Sequence, residues 1–215
     1  MHQSIDHRRR LLRDARLYAI TADDAPHRLE AAVRVSLQGG AQVVQLRHKG
    51  LRRGALLALA RMLQPLVAEA RALLIVNDYL DIALAAGADG VHLGADDLSV
   101  AAARQVAGPA LLIGASASTE AAAIEAEHQG ADYLGSGPAF STPIKAEKRV
   151  IGPAAIAAIA ASVRIPVFAI GGVDESNVGQ LVAAGIHRAC VIRALFATPD
   201  PEAAARKLRA ALDAS

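Results

Sequence analysis

The chain has 215 residues, of which 53% are hydrophobic and 20% charged, and its formal net charge is +2. This composition suits a single domain with a full hydrophobic core. No apolar stretch is long enough to span a bilayer, and no signal peptide is visible, which argues against a membrane role. The single Cys190 excludes an intrachain disulfide framework and indicates a reducing, cytoplasmic setting.

Charge is unevenly distributed along the chain. Residues 1–16 carry five Arg against Asp6 and Asp14, and the rest of the chain keeps 18 of the 23 basic and 19 of the 21 acidic residues. The body is therefore nearly neutral, and we expect no nucleic-acid partner. We interpret residues 1–16 as a basic extension, either a solvated helix or a frayed end, and residues 17–215 as one catalytic domain. Because aromatic residues make up only 3%, we expect a core of Ala, Val, Ile and Leu.

Short apolar runs alternate with helical segments along the whole domain. We predict strands at 17–21, 42–47, 73–78, 90–94, 111–116, 133–137, 166–170 and 188–192. We predict helices at 26–38, 53–70, 79–86, 99–106, 119–129, 153–162, 175–184 and 201–213. Near-continuous apolar strands separated by helices are typical of a parallel sheet covered by helices.

A weak repeat supports this division. Gly40, Gly87, Gly130 and Gly185 each follow a helical segment and precede strands two, four, six and eight. Glycine at such a position ends a helix in the left-handed conformation. Eight strand–helix units favour a single-domain α/β fold, the closed (β/α)8 TIM barrel. The alternative is an open doubly wound sheet, which more often carries a dinucleotide glycine motif after its first strand, and none is present.

Two carboxylates lie just beyond neighbouring strands. Asp78 ends the third predicted strand, and Asp97 follows the fourth. Parallel strands end on the same side of a sheet, so the two carboxylates should lie close together, where they repel each other unless a cation joins them. For either Asp alone an N-cap is the better interpretation. For the pair, a site for a divalent metal is about as well supported.

The other strand ends add cations, hydroxyls and glycines at the same end of the barrel, the mouth, where all eight strands finish. Arg47 and Lys49 alternate along an extended segment, and Gly171-Gly172 bares backbone N–H groups where barrels often hold phosphate. Lys145 lies in a long loop at 138–152 that could close over a substrate. Such a set suits an anionic substrate with several phosphates and a bridging metal. We interpret His92 as a satisfied core histidine.

At this point the chain resembles the thiamine phosphate synthase family, from Leu17 to the last helix. The resemblance rests on these segments: Gln45-Leu46-Arg47-His48-Lys49, Asn77-Asp78, Gly90-Val91-His92-Leu93-Gly94 with Asp97, Gly114-Ala115-Ser116, Tyr133-Leu134-Gly135-Ser136-Gly137-Pro138, Thr142 with Lys145, and Ala169-Ile170-Gly171-Gly172. Each motif is weak by itself, but their order and spacing together are specific.

The resemblance implies a transferase. An aminopyrimidine methyl pyrophosphate loses pyrophosphate, and the nitrogen of a thiazole phosphate captures the methylene cation. The resemblance assigns the pyrimidine pyrophosphate to Gln45, Arg47, Lys49, Asn77, Ser116 and Lys145. Of these, it implies catalytic roles for Arg47, Lys49, Ser116 and Lys145. It assigns magnesium to Asp78 and Asp97, and the thiazole phosphate to Thr142, Gly172, Ile192 and Arg193.

Several positions depart from the family pattern, mostly on the thiazole side. Ile144 replaces a hydroxyl residue, and Arg193 stands where Ser is common. A related branch, the thiazole tautomerases, uses a His where this chain has Ser118 and tends to lose the acid at Asp78, so the synthase is favoured. The alternatives are a tautomerase-like isomerase or a non-catalytic barrel that binds phosphate ligands. The sequence leaves open whether the chain forms a homodimer.

Overall fold

The computed structural model describes residues 4–142 and 149–214. Eight parallel strands form a closed barrel in chain order, in which the first strand pairs with the eighth through Leu17 and Ala189. The strands are β1 (Leu17–Ile20), β2 (Val43–Leu46), β3 (Leu73–Asn77), β4 (Gly90–Leu93), β5 (Leu112–Ser116), β6 (Tyr133–Ser136), β7 (Val167–Ile170) and β8 (Ala189–Val191). The prediction of a (β/α)8 barrel is confirmed, and closure excludes the open doubly wound sheet.

Helices surround the barrel and lie within a few residues of the predicted segments. They are α1 (Ile5–Asp14), α2 (Pro26–Gln38), α3 (Arg53–Glu69), α4 (Leu80–Ala86), α5 (Val100–Ala107), α6 (Glu120–His128), α7 (Gly152–Ala161), α8 (Val178–Ala183), α9 (Arg193–Phe196) and α10 (Pro201–Asp213). The short α9 was not predicted, because four residues are too few for a helical period to be visible in the sequence. The four repeat glycines have positive φ, between 66° and 101°, as their position after a helix requires.

The core is built mainly of Ala, Val, Ile and Leu as expected, with aromatic rings added at the centre of the barrel. Three of the six Tyr and Phe residues, Tyr18, Tyr133 and Phe168, are fully buried inside it. Phe168 meets both tyrosine rings nearly edge-on, at centroid distances of 5.4 and 5.9 Å. Gly114 makes this packing possible, because a Cβ there would lie 2.1 Å from the Tyr133 ring. Aliphatic side chains such as Val43 and Ile75 pack beside these rings, and others fill the layer between the strands and the helices.

The helix α1 is docked on the barrel and is not a solvated extension. Leu12 and Ala15 are buried against the interior cluster that contains Leu73 and Leu112, the first residues of β3 and β5. This position closes the end of the barrel at which the strands begin. The interpretation of the helix as solvated was wrong. Its many charged residues suggested exposure, and its few apolar residues gave little sign of the buried face.

Two salt bridges explain part of the basic character of α1. Arg8, itself buried, lies 3.0 Å from Asp89 and donates a hydrogen bond of 2.8 Å to the carbonyl oxygen of Ala110. Arg9 bonds to Asp132 at 2.9 Å. These partners precede β4, β5 and β6, so the arginines bind the same end of the barrel that Leu12 covers.

In the ranges 4–142 and 149–214, no helix is both long and apolar enough to cross a membrane.

Candidate active site

The predicted site residues lie at the end of the barrel where the strands finish. Side chains alternate along a strand, and the inward positions are identified by the interior cluster, which includes Tyr18, Val43, Ile75 and Phe168. Every second residue beyond these positions also faces inward, which includes Gln45, Arg47, Asn77, Ser116 and Ile192. Gly172 lies in the turn just after β7. The predicted mouth therefore follows from strand parity, which is a local property of the sequence.

The ends of β2 and β3 form one crevice. Arg47, Lys49, Asn77 and Asp78 all line it. The backbone that carries the two cations is held by the loop after β1, because Thr21 Oγ1 donates to the Arg47 carbonyl at 2.8 Å and accepts from its amide at 2.9 Å. Among the described residues, neither cationic side chain is in a salt bridge. Both charges are thus available to an anionic ligand.

The carboxyl groups of Asp78 and Asp97 lie within hydrogen-bonding reach of each other. Neither is a helix cap: α4 begins after Tyr79 without a side-chain cap, and the cap of α5 is Ser99, whose hydroxyl accepts from Ala102 N at 3.1 Å. Asp97 is instead held by the amide of Gly94, 2.7 Å from its Oδ2 atom. The N-cap interpretation is therefore wrong for both residues.

Asp78 lies in an electrostatically unfavourable place. Desolvation raises the pKa of its carboxyl to about 6, the Asp97 carboxylate adds to that rise, and Lys49 and Arg47 oppose it. Its backbone has φ of 64°, in the left-handed region that non-glycine residues seldom adopt. Strain and charge repulsion collected at one residue are typical of a functional site.

This donor set fits a divalent cation. Mg²⁺ is commonly held by one or two carboxylates together with substrate phosphates, and here two carboxylates face the mouth beside two free cations. Within the part of the chain that the structure describes, no group of three or more His, Cys, Asp or Glu side chains could hold a metal by itself. A cation bound here would take its remaining ligands from substrate and water.

We expect Asp78→Asn to stabilise the metal-free protein at neutral pH. The folded pKa of Asp78 exceeds its unfolded value, so ionisation opposes folding above about pH 6, and this penalty disappears as the pH falls below about 4. Because Asp78 is only half-buried, solvent screens part of this penalty, and we expect the free energy of unfolding to rise by about 1 kcal/mol. Asn also tolerates the left-handed backbone. Unfolding in chelator at several pH values tests this, and an equal difference between the two proteins at every pH would contradict it.

Gln45 and Ser116 are joined through residues that the sequence did not assign to the site. Gln45 donates to the Tyr18 hydroxyl at 2.8 Å, and Ser116 Oγ lies 3.1 Å from Nε2 of His92. His92 is buried with both ring nitrogens bonded, as predicted for a core histidine, yet one partner stands at the mouth. The alternation of side chains along β4 could have indicated this contact, because it places His92 on the inward side of the barrel.

On the opposite side of the mouth, the loop after β6 packs on the glycine pair. Phe140 N donates to the Gly171 carbonyl at 2.9 Å, and a Cβ on Gly172 would lie 2.5 Å from the carbonyl oxygen of Ser141, next to Thr142. In the register of β7 and β8, Ile170 lies opposite Cys190, so Gly172 and Ile192 each lie two residues beyond this last pair.

Arg193 begins α9 directly after β8, and its side chain is exposed with no salt bridge among the described residues. Lys145 and Ile144 lie outside the described residues, so their predicted roles stay predictions.

Comparison with known proteins agrees with this geometry. Residues 17–195 match the family model described as thiamine monophosphate synthase. The chain belongs to the thiamine monophosphate synthase family. Thiamine-phosphate synthase of Chlorobium luteolum is 49% identical over 179 residues, covering 83% of this chain and 84% of the relative. The enzyme of Methanoculleus marisnigri is 47% identical over 177 residues, covering 82% and 84%.

A solved structure extends the match beyond sequence. The thiamine phosphate pyrophosphorylase from Pyrococcus furiosus superposes with a TM-score of 0.85 at 38% identity, covering 95% of this chain and 97% of that one. The resemblance to the thiamine monophosphate synthase family is therefore confirmed over almost the whole barrel, including the strands that carry the mouth.

Proposed function

We propose that the mouth of this barrel joins hydroxymethylpyrimidine pyrophosphate to a thiazole phosphate, giving thiamine phosphate and pyrophosphate. The chain is a transferase of the thiamine monophosphate synthase family. The observation that carries the assignment is the carboxylate pair, Asp78 and Asp97, placed beside Arg47 and Lys49. Cations together with acids that can hold a metal suit a pyrophosphate leaving group.

The chemistry is dominated by the departure of pyrophosphate. The bond between the methylene carbon and the bridging oxygen breaks, and its electron pair leaves with the pyrophosphate. Arg47 and Lys49, with Lys145 from the loop, would stabilise that negative charge, which is electrostatic work for pre-placed cations. Asp78 and Asp97 would hold Mg²⁺, which when bound supplies further positive charge to the leaving group. Gln45, Asn77 and Ser116 would orient the pyrimidine.

The thiazole phosphate would bind across the mouth. Its phosphate would be held by Gly172 after β7, by Ile192 and Arg193 after β8, and by Thr142 in the adjoining loop. Its ring nitrogen would then attack the methylene cation with its lone pair, forming the new C–N bond without any proton transfer. The small-molecule substrates and the single, buried Cys190 are consistent with a cytoplasmic enzyme.

One assay tests the proposal. The protein is incubated with both phosphorylated substrates and magnesium, and thiamine phosphate and pyrophosphate are measured together. We expect equal amounts of the two products and none when either substrate is omitted. Isomerisation of the thiazole phosphate alone would favour a tautomerase, although Ser118 occupies the position of the histidine that branch uses. Binding of either substrate without turnover would favour a non-catalytic binding barrel.

A further inference from the structure

Five side chains inside the barrel form one continuous chain of hydrogen bonds. Gln45 Nε2 lies 2.8 Å from Tyr18 Oη, which lies 2.8 Å from Tyr133 Oη. Tyr133 Oη lies 3.2 Å from Nδ1 of His92, and Nε2 of His92 lies 3.1 Å from Ser116 Oγ. Both ends of this chain are residues proposed to orient the pyrimidine. The three residues between them have no role in the proposed reaction.

The chain of hydrogen bonds has a direction. The amide nitrogen of Gln45 can only donate, so Tyr18 Oη accepts from it. Either hydroxyl of the Tyr18–Tyr133 pair could donate, but only donation from Tyr18 to Tyr133 gives the Tyr18 proton an acceptor among residues 4–142 and 149–214. Tyr133 in turn donates to Nδ1 of His92, which must carry no proton. Nε2 therefore carries the imidazole proton and donates it to Ser116.

Burial keeps both phenols protonated. Desolvation raises the pKa of both Tyr18 and Tyr133 above the usual value for a phenol, so each keeps the proton that it must donate. The two rings are also held in place by contact with each other, at a centroid distance of 5.8 Å, and with Phe168. Close packing therefore fixes the positions of both hydroxyl oxygens relative to their partners.

We propose that Tyr18 and Tyr133 are positioning residues that fix His92 as its Nε2–H tautomer and thereby fix the polarity of the pyrimidine site. Ser116 Oγ accepts from His92, so its own proton is directed to the ligand and the residue acts as a donor. The carbonyl oxygen of Gln45 accepts no hydrogen bond from the described residues and offers an acceptor. One donor and one acceptor match a ring with a basic nitrogen and an amino group, as in an aminopyrimidine. This inference rests on the proposed function.

The tautomer can be measured without any assay of activity. In uniformly ¹⁵N-labelled wild-type protein at mildly alkaline pH, two-bond ¹H–¹⁵N correlations of the histidine rings identify which nitrogen bears the proton. The signals of His92 are assigned by their loss in His92→Gln. We expect the Nε2–H pattern, and in Tyr133→Phe we expect the Nδ1 resonance to move towards that of an unbonded ring nitrogen. An Nδ1–H pattern in the wild type reverses the chain and overturns the proposal.

Kinetics test whether the tyrosines act as one unit. We expect Tyr18→Phe and Tyr133→Phe each to lower kcat/KM for the pyrimidine pyrophosphate by about 10-fold, near the upper end for one neutral hydrogen bond. The double variant should lose little more than either single variant, because one break interrupts the chain. KM for the thiazole phosphate should not change. Fully additive losses, or equal losses for both substrates, would contradict the positioning role.

The matched control is Phe168→Leu, which alters packing against the same two rings and removes no hydrogen bond. We expect it to lower thermal stability and to leave the His92 tautomer unchanged. If the wild-type protein makes no thiamine phosphate, the proposed function fails. The tautomer measurement still decides whether the chain of hydrogen bonds runs in the inferred direction.

Discussion

Replacing Asp97 with Asn is expected to slow thiamine phosphate formation by about 100-fold or more. Loss of a residue that only supports a metal ligand typically costs about 10- to 100-fold, and loss of a ligand itself should cost at least as much. Asn keeps an oxygen that can accept from the amide of Gly94, so the loop conformation should survive. The substitution removes the negative charge of Asp97, which we propose binds magnesium together with Asp78. We therefore expect full folding, a large loss of turnover and a higher magnesium requirement.

Two control variants separate this effect from a structural one. Asp96→Asn removes an exposed carboxylate one residue away and should leave the rate and the magnesium dependence unchanged. Ser99→Ala removes the true cap of α5 and should lower stability by about 1 kcal/mol without a comparable loss of turnover. The measurements are initial rates over a magnesium series and thermal unfolding. Undiminished activity of Asp97→Asn, or full wild-type activity in excess chelator, would reject the metal assignment.

Replacing Arg193 with Ser is expected to weaken thiazole phosphate binding by about 1.5–3 kcal/mol, the usual range for a hydrogen bond to a charged group. Arg193 lies two residues beyond the end of β8, at the mouth, and its side chain is exposed and without a salt bridge in the described ranges. A guanidinium can bind a phosphate through two parallel hydrogen bonds. Ser restores the commoner family residue but removes this charge.

The affinities of the two substrates are measured separately in this variant. The affinity for the pyrimidine pyrophosphate should change much less, because the cations proposed to bind it are Arg47, Lys49 and Lys145. Arg164→Ser is the matched control, since it removes an exposed arginine just before β7, at the opposite end of the barrel. Equal losses for both substrates, or an unchanged affinity for the thiazole phosphate, would count against the assignment of Arg193.

Much of the site could be predicted because its position depends on local patterns. Strand periodicity and the helix-ending glycines identify the eight units, and parallel strands must all finish at one mouth. Asp78 and Asp97 were therefore expected to meet, and the structure brings them together. What the sequence could not decide was whether they cap helices, because a cap depends on the residue at which each helix begins.

Contacts between distant segments were decided only by the tertiary structure. The helix α1 is predominantly charged in sequence, and its docking depends on Asp89 and Asp132, which are provided by segments far along the chain. The same holds for the aromatic centre, because Tyr18 and Tyr133 are 115 residues apart and meet only when the barrel closes.

The sequence by itself thus determined the barrel, the mouth and the residue types gathered there, because these follow from short-range periodicity and from the shared direction of the strands. It did not determine how the interior side chains bond to one another. Whether His92 is an isolated core residue or the link between Tyr133 and Ser116 depends on distances across the barrel. Those distances are set by the closure of β1 onto β8 and by the packing of three aromatic rings, which no local pattern encodes.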